Sequence, residues 1–192
     1  MKEKKERRKW GLIILMVFIM IGTSFSFVFF GFAPPSDKVD YNGISFTNSR
    51  NAWIAKINGQ DAAFSFLPGD VERITVLNDS IKKLQGKFEI DATYDFNSTY
   101  KESIDIAQYQ MGLTLSAYNI YLRRGFTTNN PYKIPVITCH DATQNVPVVY
   151  FRFGNITNTH TDGNCIIVEA STNLDFIKVK DRMVYGILGV IK

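Results

Sequence analysis

Residues 139–165 read CHDATQNVPVVYFRFGNITNTHTDGNC and hold both cysteines and both histidines of the chain. Three chemistries fit such a stretch. It can be a loop closed by a disulfide, a metal site built from Cys139, His140, His160 and Cys165, or a thiol active site. Each implies a different arrangement of the strands around it. The choice turns on the compartment, and the compartment is read from the other end of the chain.

The chain opens with MKEKKERRK, followed at 10–33 by WGLIILMVFIMIGTSFSFVFFGFA, which has no charged residue. A helix crossing a bilayer core needs roughly 20 apolar residues, whereas a cleaved secretory signal has an apolar core of about 7–15. The run is too long for the latter, and Pro34 and Pro35 stand where a peptidase would need an extended bond. It has no polar face to present as a buried core helix. The expectation is an uncleaved transmembrane signal anchor. Six lysines and arginines precede the run and only Lys38 closely follows it. The positive-inside rule then puts the amino terminus in the cytoplasm and the rest outside. Gly22 and Ser26 form a small-xxx-small pair within the anchor, a weak sign of helix–helix contact.

Charge sharpens the division. The chain has 22 lysines and arginines against 18 aspartates and glutamates, a net +4. The first nine residues alone carry six against two, also +4, so residues 10–192 carry 16 of each. The basic character belongs to the tail, which can touch anionic lipid heads. The remainder lacks the net basicity of a typical nucleic-acid reader. The expected organisation is a basic cytoplasmic tail at 1–9, the anchor at 10–33, a proline-stiffened linker at 34–40 and one extracytoplasmic domain at 41–192.

Within that domain, AWIAKI, Asn58-Gly59 and AAFSFL predict a hairpin, since both turn residues tolerate positive φ. VERITV reads as a strand, NDSIKKLQG as a short helix ended by Gly86, and KFEIDATY as a half-buried strand. Thr99 and Glu102 match a capping box. Behind them Ile104, Met111, Leu115, Tyr118 and Leu122 keep helical spacing, widened by Ile106, Leu113, Ala117 and Ile120. This predicts a long, well-buried helix ending at Arg123, Arg124 and Gly125. IPVITC, PVVYFRF and NCIIVEA read as three strands. Thr172 caps a last helix over 173–190, in which Gly186 and Gly189 permit close packing. The fold class is α+β, a mixed or antiparallel sheet with a central helix and a docked C-terminal helix.

An oxidising exterior favours the disulfide, and two cysteines allow one pairing, Cys139 with Cys165. Bridged Cα atoms lie within about 7 Å. If IPVITC and NCIIVEA are both strands, the bridge requires them to be direct antiparallel neighbours with PVVYFRF on an outer flank. The metal reading lacks the short paired spacings of zinc sites. No metal and no cofactor is expected. A thiol enzyme using His140 or His160 would need a free thiolate outside the cell.

Asn78, Asn97 and Asn155 each open an N-x-[ST] acceptor and are candidate glycosylation sites. Asp91, Asp95, Asp105, Asp141 and Asp162 lack calcium-loop spacing and read as turn formers and solvated strand ends. Walker, Rossmann, nucleophile-elbow and zincin motifs do not occur in the sequence.

YNGISF, GNCIIVEA and DRMVYGILGVI resemble segments of small single-pass membrane-anchored proteins from archaeal lineages with reduced genomes. The resemblance spans residues 41–191 and implies the same anchored layout, no known activity and ordinary N-glycosylation on the outer face. It transfers no catalytic residue. The functional expectation is a non-enzymatic binding or assembly module, held in the bilayer by residues 10–33, with envelope proteins as partners and no nucleic acid. The alternatives are an extracytoplasmic enzyme, such as a hydrolase, using His140, His160 and nearby aspartates, and a pilin-like filament subunit. The pilin glutamate is missing from LIILM.

Overall fold

The computed structural model describes Leu15, Met16 and residues 37–191. The basic tail, the Gly22/Ser26 pair and the two prolines lie outside the described residues, as does the anchor run apart from Leu15 and Met16. Among the described residues no helix is long and apolar enough to cross a membrane. The unit beginning at Lys38 has its own core.

The chain first builds a four-stranded antiparallel meander, in the order β1 (Lys38–Tyr41), β2 (Ile44–Ser49), β3 (Ala52–Ile57) and β4 (Gln60–Phe64). β1 starts inside the stretch read as linker. Every connection is a two-residue turn with both residues at positive φ: Asn42-Gly43 (49°, 78°), Arg50-Asn51 (51°, 65°) and Asn58-Gly59 (49°, 86°). Such turns match the right-handed twist of paired strands. The Asn58 hairpin is as predicted. Arg50-Asn51 is a turn of the same kind, recurring at the same eight-residue step as the other two.

Two short helices follow, α1 (Pro68–Val71) and α2 (Asn78–Leu84), the latter closed by Gly86 at φ 68°. VERITV is not a strand: Val71 ends α1, and Thr75 makes only an isolated bridge to Asn158. The second sheet contains β5 (Glu89–Tyr94), β6 (Tyr121–Phe126), β7 (Val148–Phe153), β8 (Asn158–Asp162) and β9 (Cys165–Ala170). Its order is β6-β5-β7-β9-β8, parallel except for β8 on the edge. β5 lies inside this sheet and is buried from Ile90 to Tyr94, not half-buried. β8 carries no apolar alternation, and its NTHTD sequence reads as loop.

The long helix predicted from Thr99 is shorter. α3 spans Lys101–Ser116, with Tyr100 at its N-cap and no side-chain cap. Thr99 lies in the preceding turn, where Ser98 Oγ instead accepts from the Tyr100 N–H at 3.2 Å. Asn119, at φ 59°, redirects the chain into β6. Leu122, Arg123, Arg124 and Gly125 are therefore strand residues, and the arginines bind carboxylates rather than a helix end. Ile106 and Leu113 are more than half exposed, not part of a widened buried face.

The last helix, α4 (Asn173–Ile187), is capped as predicted: Thr172 Oγ1 accepts from the Asp175 N–H at 3.2 Å. It is buried from Val179 to Gly186 because it packs in two directions. Phe176, Val179 and Met183 share a core with alternate residues of β5, β7 and β9. On the meander side, Tyr185 stacks on Phe64 at 4.0 Å and meets Phe46 edge-on at 6.0 Å. Gly186 admits Ile81, whose Cδ1 would lie 2.8 Å from an added Cβ. Gly189 does not pack this way; it takes the left-handed position after the helix, at φ 79°.

The opposite face of the five-stranded sheet has no such helices. The 127–147 connection lies over it, placing Ile137 in a small cluster with Val148, Cys165 and Ile167, packed by Cys139, Ala142 and Tyr150. Parallel sheets need both faces covered. Here a long loop provides the second cover.

Candidate functional site

A disulfide joins Cys139 to Cys165, with Cα atoms 5.2 Å apart. The pairing matches the expectation, and the strand order derived from it does not. IPVITC is not a strand. Pro135 has no N–H to donate, and Thr138 starts a one-turn 3-10 helix over Cys139–Asp141. There Asp141 Oδ2 accepts from the Thr138 N–H at 2.8 Å and the Thr138 hydroxyl at 2.9 Å, holding the Asp141 carboxyl below its ordinary range. That turn brings Cys139 onto the sheet face above β9. PVVYFRF, far from being an outer flank, supplies β7, the direct parallel neighbour of β9.

The bridge removes both thiols from the candidate metal set and from the thiol-enzyme reading. His140 sits on the 3-10 turn and His160 on β8, opposite Ile167. Among the described residues no hydrogen bond or ion pair joins the two histidines, and no group of three or more His, Cys, Asp or Glu side chains could hold a metal ion. Asn78, Asn97 and Asn155 are all exposed, at the first residue of α2 and in the loops after β5 and β7.

The carboxylates divide. Asp91 is no strand-end solvent group. It is 1% exposed and receives Arg123 through Nε at 2.7 Å and Nη2 at 2.6 Å. Asp91 hydrogen bonding raises the Arg123 pKa from its ordinary value. Asp105 stands on α3, where it accepts from Arg124 Nη2 and, at 3.2 Å, from the Tyr94 hydroxyl. Burial, then the charge of Asp105 and its hydrogen bond, pushes the Tyr94 phenol up to about 12.

Tyr94, Asp105 and Arg124 line a trough on the outer side of β6. Two adjoining cavities, about 460 and 420 Å³, share these residues with Phe126 and Ile134. One runs along β6 over Gln108; the other reaches Phe96, Asn97 and Tyr132. Gln108 is fully buried, and neither its amide nitrogen nor its oxygen has a partner among the described residues. None of His140, His160, Asp141 or Asp162 lines this trough. Sequence reading missed it because it placed Arg123 and Arg124 at a helix end. The available signal was Asn119, a turn former inside the helical pattern, followed by the strand-favouring Ile120 and Tyr121.

Comparison with protein-family models, curated proteins and solved structures finds no match to this chain.

Proposed function

We propose that the chain is a membrane-anchored extracytoplasmic binding module, with the trough beside β6 as its recognition surface and envelope proteins as its partners. The observation that carries the reading is the Cys139–Cys165 disulfide. Such bonds persist in oxidising compartments, and the uncharged run at 10–33 behind a six-cation tail supplies the route there. The trough supports binding: it is mainly apolar with a few converging polar groups, the composition of recognition sites. The exposure of Asn78, Asn97 and Asn155 fits an outer face open to glycosylation.

The test is a C-terminal fusion to a reporter enzyme active only after export, with alkaline extraction of the membranes. Reporter activity in carbonate-resistant membranes supports the reading. An inactive reporter, or a chain released by carbonate, overturns it.

A further inference from the structure

The edge of β6 is half covered. Tyr121 N–H bonds inward to Phe88 O at 2.8 Å and Thr127 N–H to Tyr94 O at 3.0 Å, so the odd positions of β6 serve β5. Phe126 faces outward, donating to Pro135 O at 3.0 Å and accepting from Ile137 N–H at 2.8 Å. By strand alternation Leu122 and Arg124 face the same way. No described segment pairs with them, because β6 is the end strand of the sheet.

The chain itself starts this pairing and then abandons it. Continued backward in parallel register from the Phe126–Val136 bridge, residues 132–134 would meet Arg124 and Leu122. Lys133 takes φ 57°, and Asn130 binds Ile134 twice, through Nδ2 to its carbonyl at 2.8 Å and through Oδ1 from its N–H at 3.2 Å. The loop is thereby held away from β6, and the 460 Å³ cavity is the wedge left between them.

We propose that this wedge receives an extended polypeptide strand from a partner, which adds to the β6 edge at Leu122 and Arg124. The inference rests on the binding-module reading and names the partner class. Main-chain groups of an extended peptide complement the alternating N–H and C=O of those two residues, as in strand addition generally. The bridge at Phe126 is the established start of the same edge. Tyr94, Leu122, Phe126 and Ile134 line the wedge, so the occupant carries an apolar side chain there. At the floor the unpartnered Gln108 amide offers a donor and an acceptor. A second copy of β6 fits less well. Edge-to-edge pairing at these positions sets arginines against arginines, and like charges across a strand pair destabilise it.

The test is hydrogen–deuterium exchange of the full chain in detergent micelles, read on fragments covering 121–126. The probe is a short acetylated peptide of alternating threonine and valine, at about 1 mM to reveal weak association. Exchange of the two outward amides is expected to slow by roughly tenfold or more. Arg124→Pro removes one outward N–H without touching the inward ladder, and edge strands tolerate proline there. It should abolish the protection. Arg124→Ala, which keeps the N–H, should retain it. No protection in the wild type, or equal protection in the proline variant, overturns the proposal. Protection that grows with protein concentration without peptide overturns the choice of occupant in favour of a second copy. None of these outcomes depends on where the protein resides, so failure here is distinct from failure of the export test.

Discussion

The meander and the five-stranded sheet solve the same problem with different means. The meander, residues 38–64, is built from neighbours in sequence, with each strand pairing to the next through a two-residue turn. The mixed sheet is built from strands far apart. β5 pairs with β6 across α3, and with β7 across α3, β6 and the 127–147 loop. Local pairing costs little closure entropy, while the second sheet must close long loops before any strand contact forms. The difference shows in what secures each. Turn chemistry suffices for the meander's strand order. The mixed sheet needs the helices α3 and α4 on one face and a covalent staple on the other.

The largest expected effect severs the two regions. Asp181 is fully buried on α4; its Oδ2 accepts from the N–H groups of Ser65 and Phe66, both at 2.9 Å, and its Oδ1 pairs with buried Lys180. Burial pushes this carboxyl upward, while Lys180 and the two N–H donors draw it down. Asp181→Ala leaves a buried ammonium and two partly buried N–H donors without their partner, and should cost about 3–5 kcal/mol in urea denaturation. An unchanged midpoint would show that the meander holds on without this carboxylate, through its aromatic contacts and the hydrogen bonds from Thr114, Tyr118 and Tyr185.

Next is the staple. Replacing Cys139 and Cys165 by serine opens a loop with a sequence separation of 26, and should cost about 3 kcal/mol. Exchange should rise first in 127–147 and leave the meander unaffected. Uniform loosening of both regions would break the contrast drawn above.

Gly186→Ala tests the packing of α4 against α2. The new methyl meets Ile81 at 2.8–2.9 Å, and about 1–3 kcal/mol of overpacking should appear in the denaturation midpoint.

A smaller effect belongs to the α4 cap. Burial would raise the Asp175 carboxyl, but hydrogen bonds from Thr172, Ser171 and Thr157 hold it below its ordinary value. An acid depressed on folding stabilises above its unfolded pKa, about 3.9, and that stabilisation is lost as pH falls through the folded pKa. Thr172→Ala should therefore cost about 1 kcal/mol at pH 7, and progressively less in titrations below pH of about 4. A penalty constant with pH would assign it to the hydroxyl's N-cap bond alone.

The smallest change is a gain. Arg50 occupies a left-handed position, at φ 51°, that other turns of the meander give to asparagine. Arg50→Gly relieves the Cβ strain of that position and should stabilise by about 0.5–1 kcal/mol in a thermal melt.

How much of this was legible follows the same division. Asn58-Gly59, Gly86 and Thr172 are local signals, and each acts where its chemistry points. Tyr121–Phe126 was misread because Leu122 happens to continue the helical spacing of Met111 and Leu115, while pairing with β5 decides its state. The disulfide was readable from compartment and count, but its geometry was not. A cysteine on a one-turn helix reaches a strand face as well as one on a neighbouring strand. Of the trough, the strand behind Asn119 carries a local signal, but the cavity itself does not, because it arises where Lys133 diverts a loop from an edge strand.

The most direct test of the account is the thiol state of the full chain isolated from membranes, by alkylation and intact mass before and after reduction. The account predicts no modified cysteine until reductant is added, and then both. Two cysteines alkylated without reductant would contradict it. That result would remove the staple from the mixed sheet and the oxidising exterior from the proposed function together.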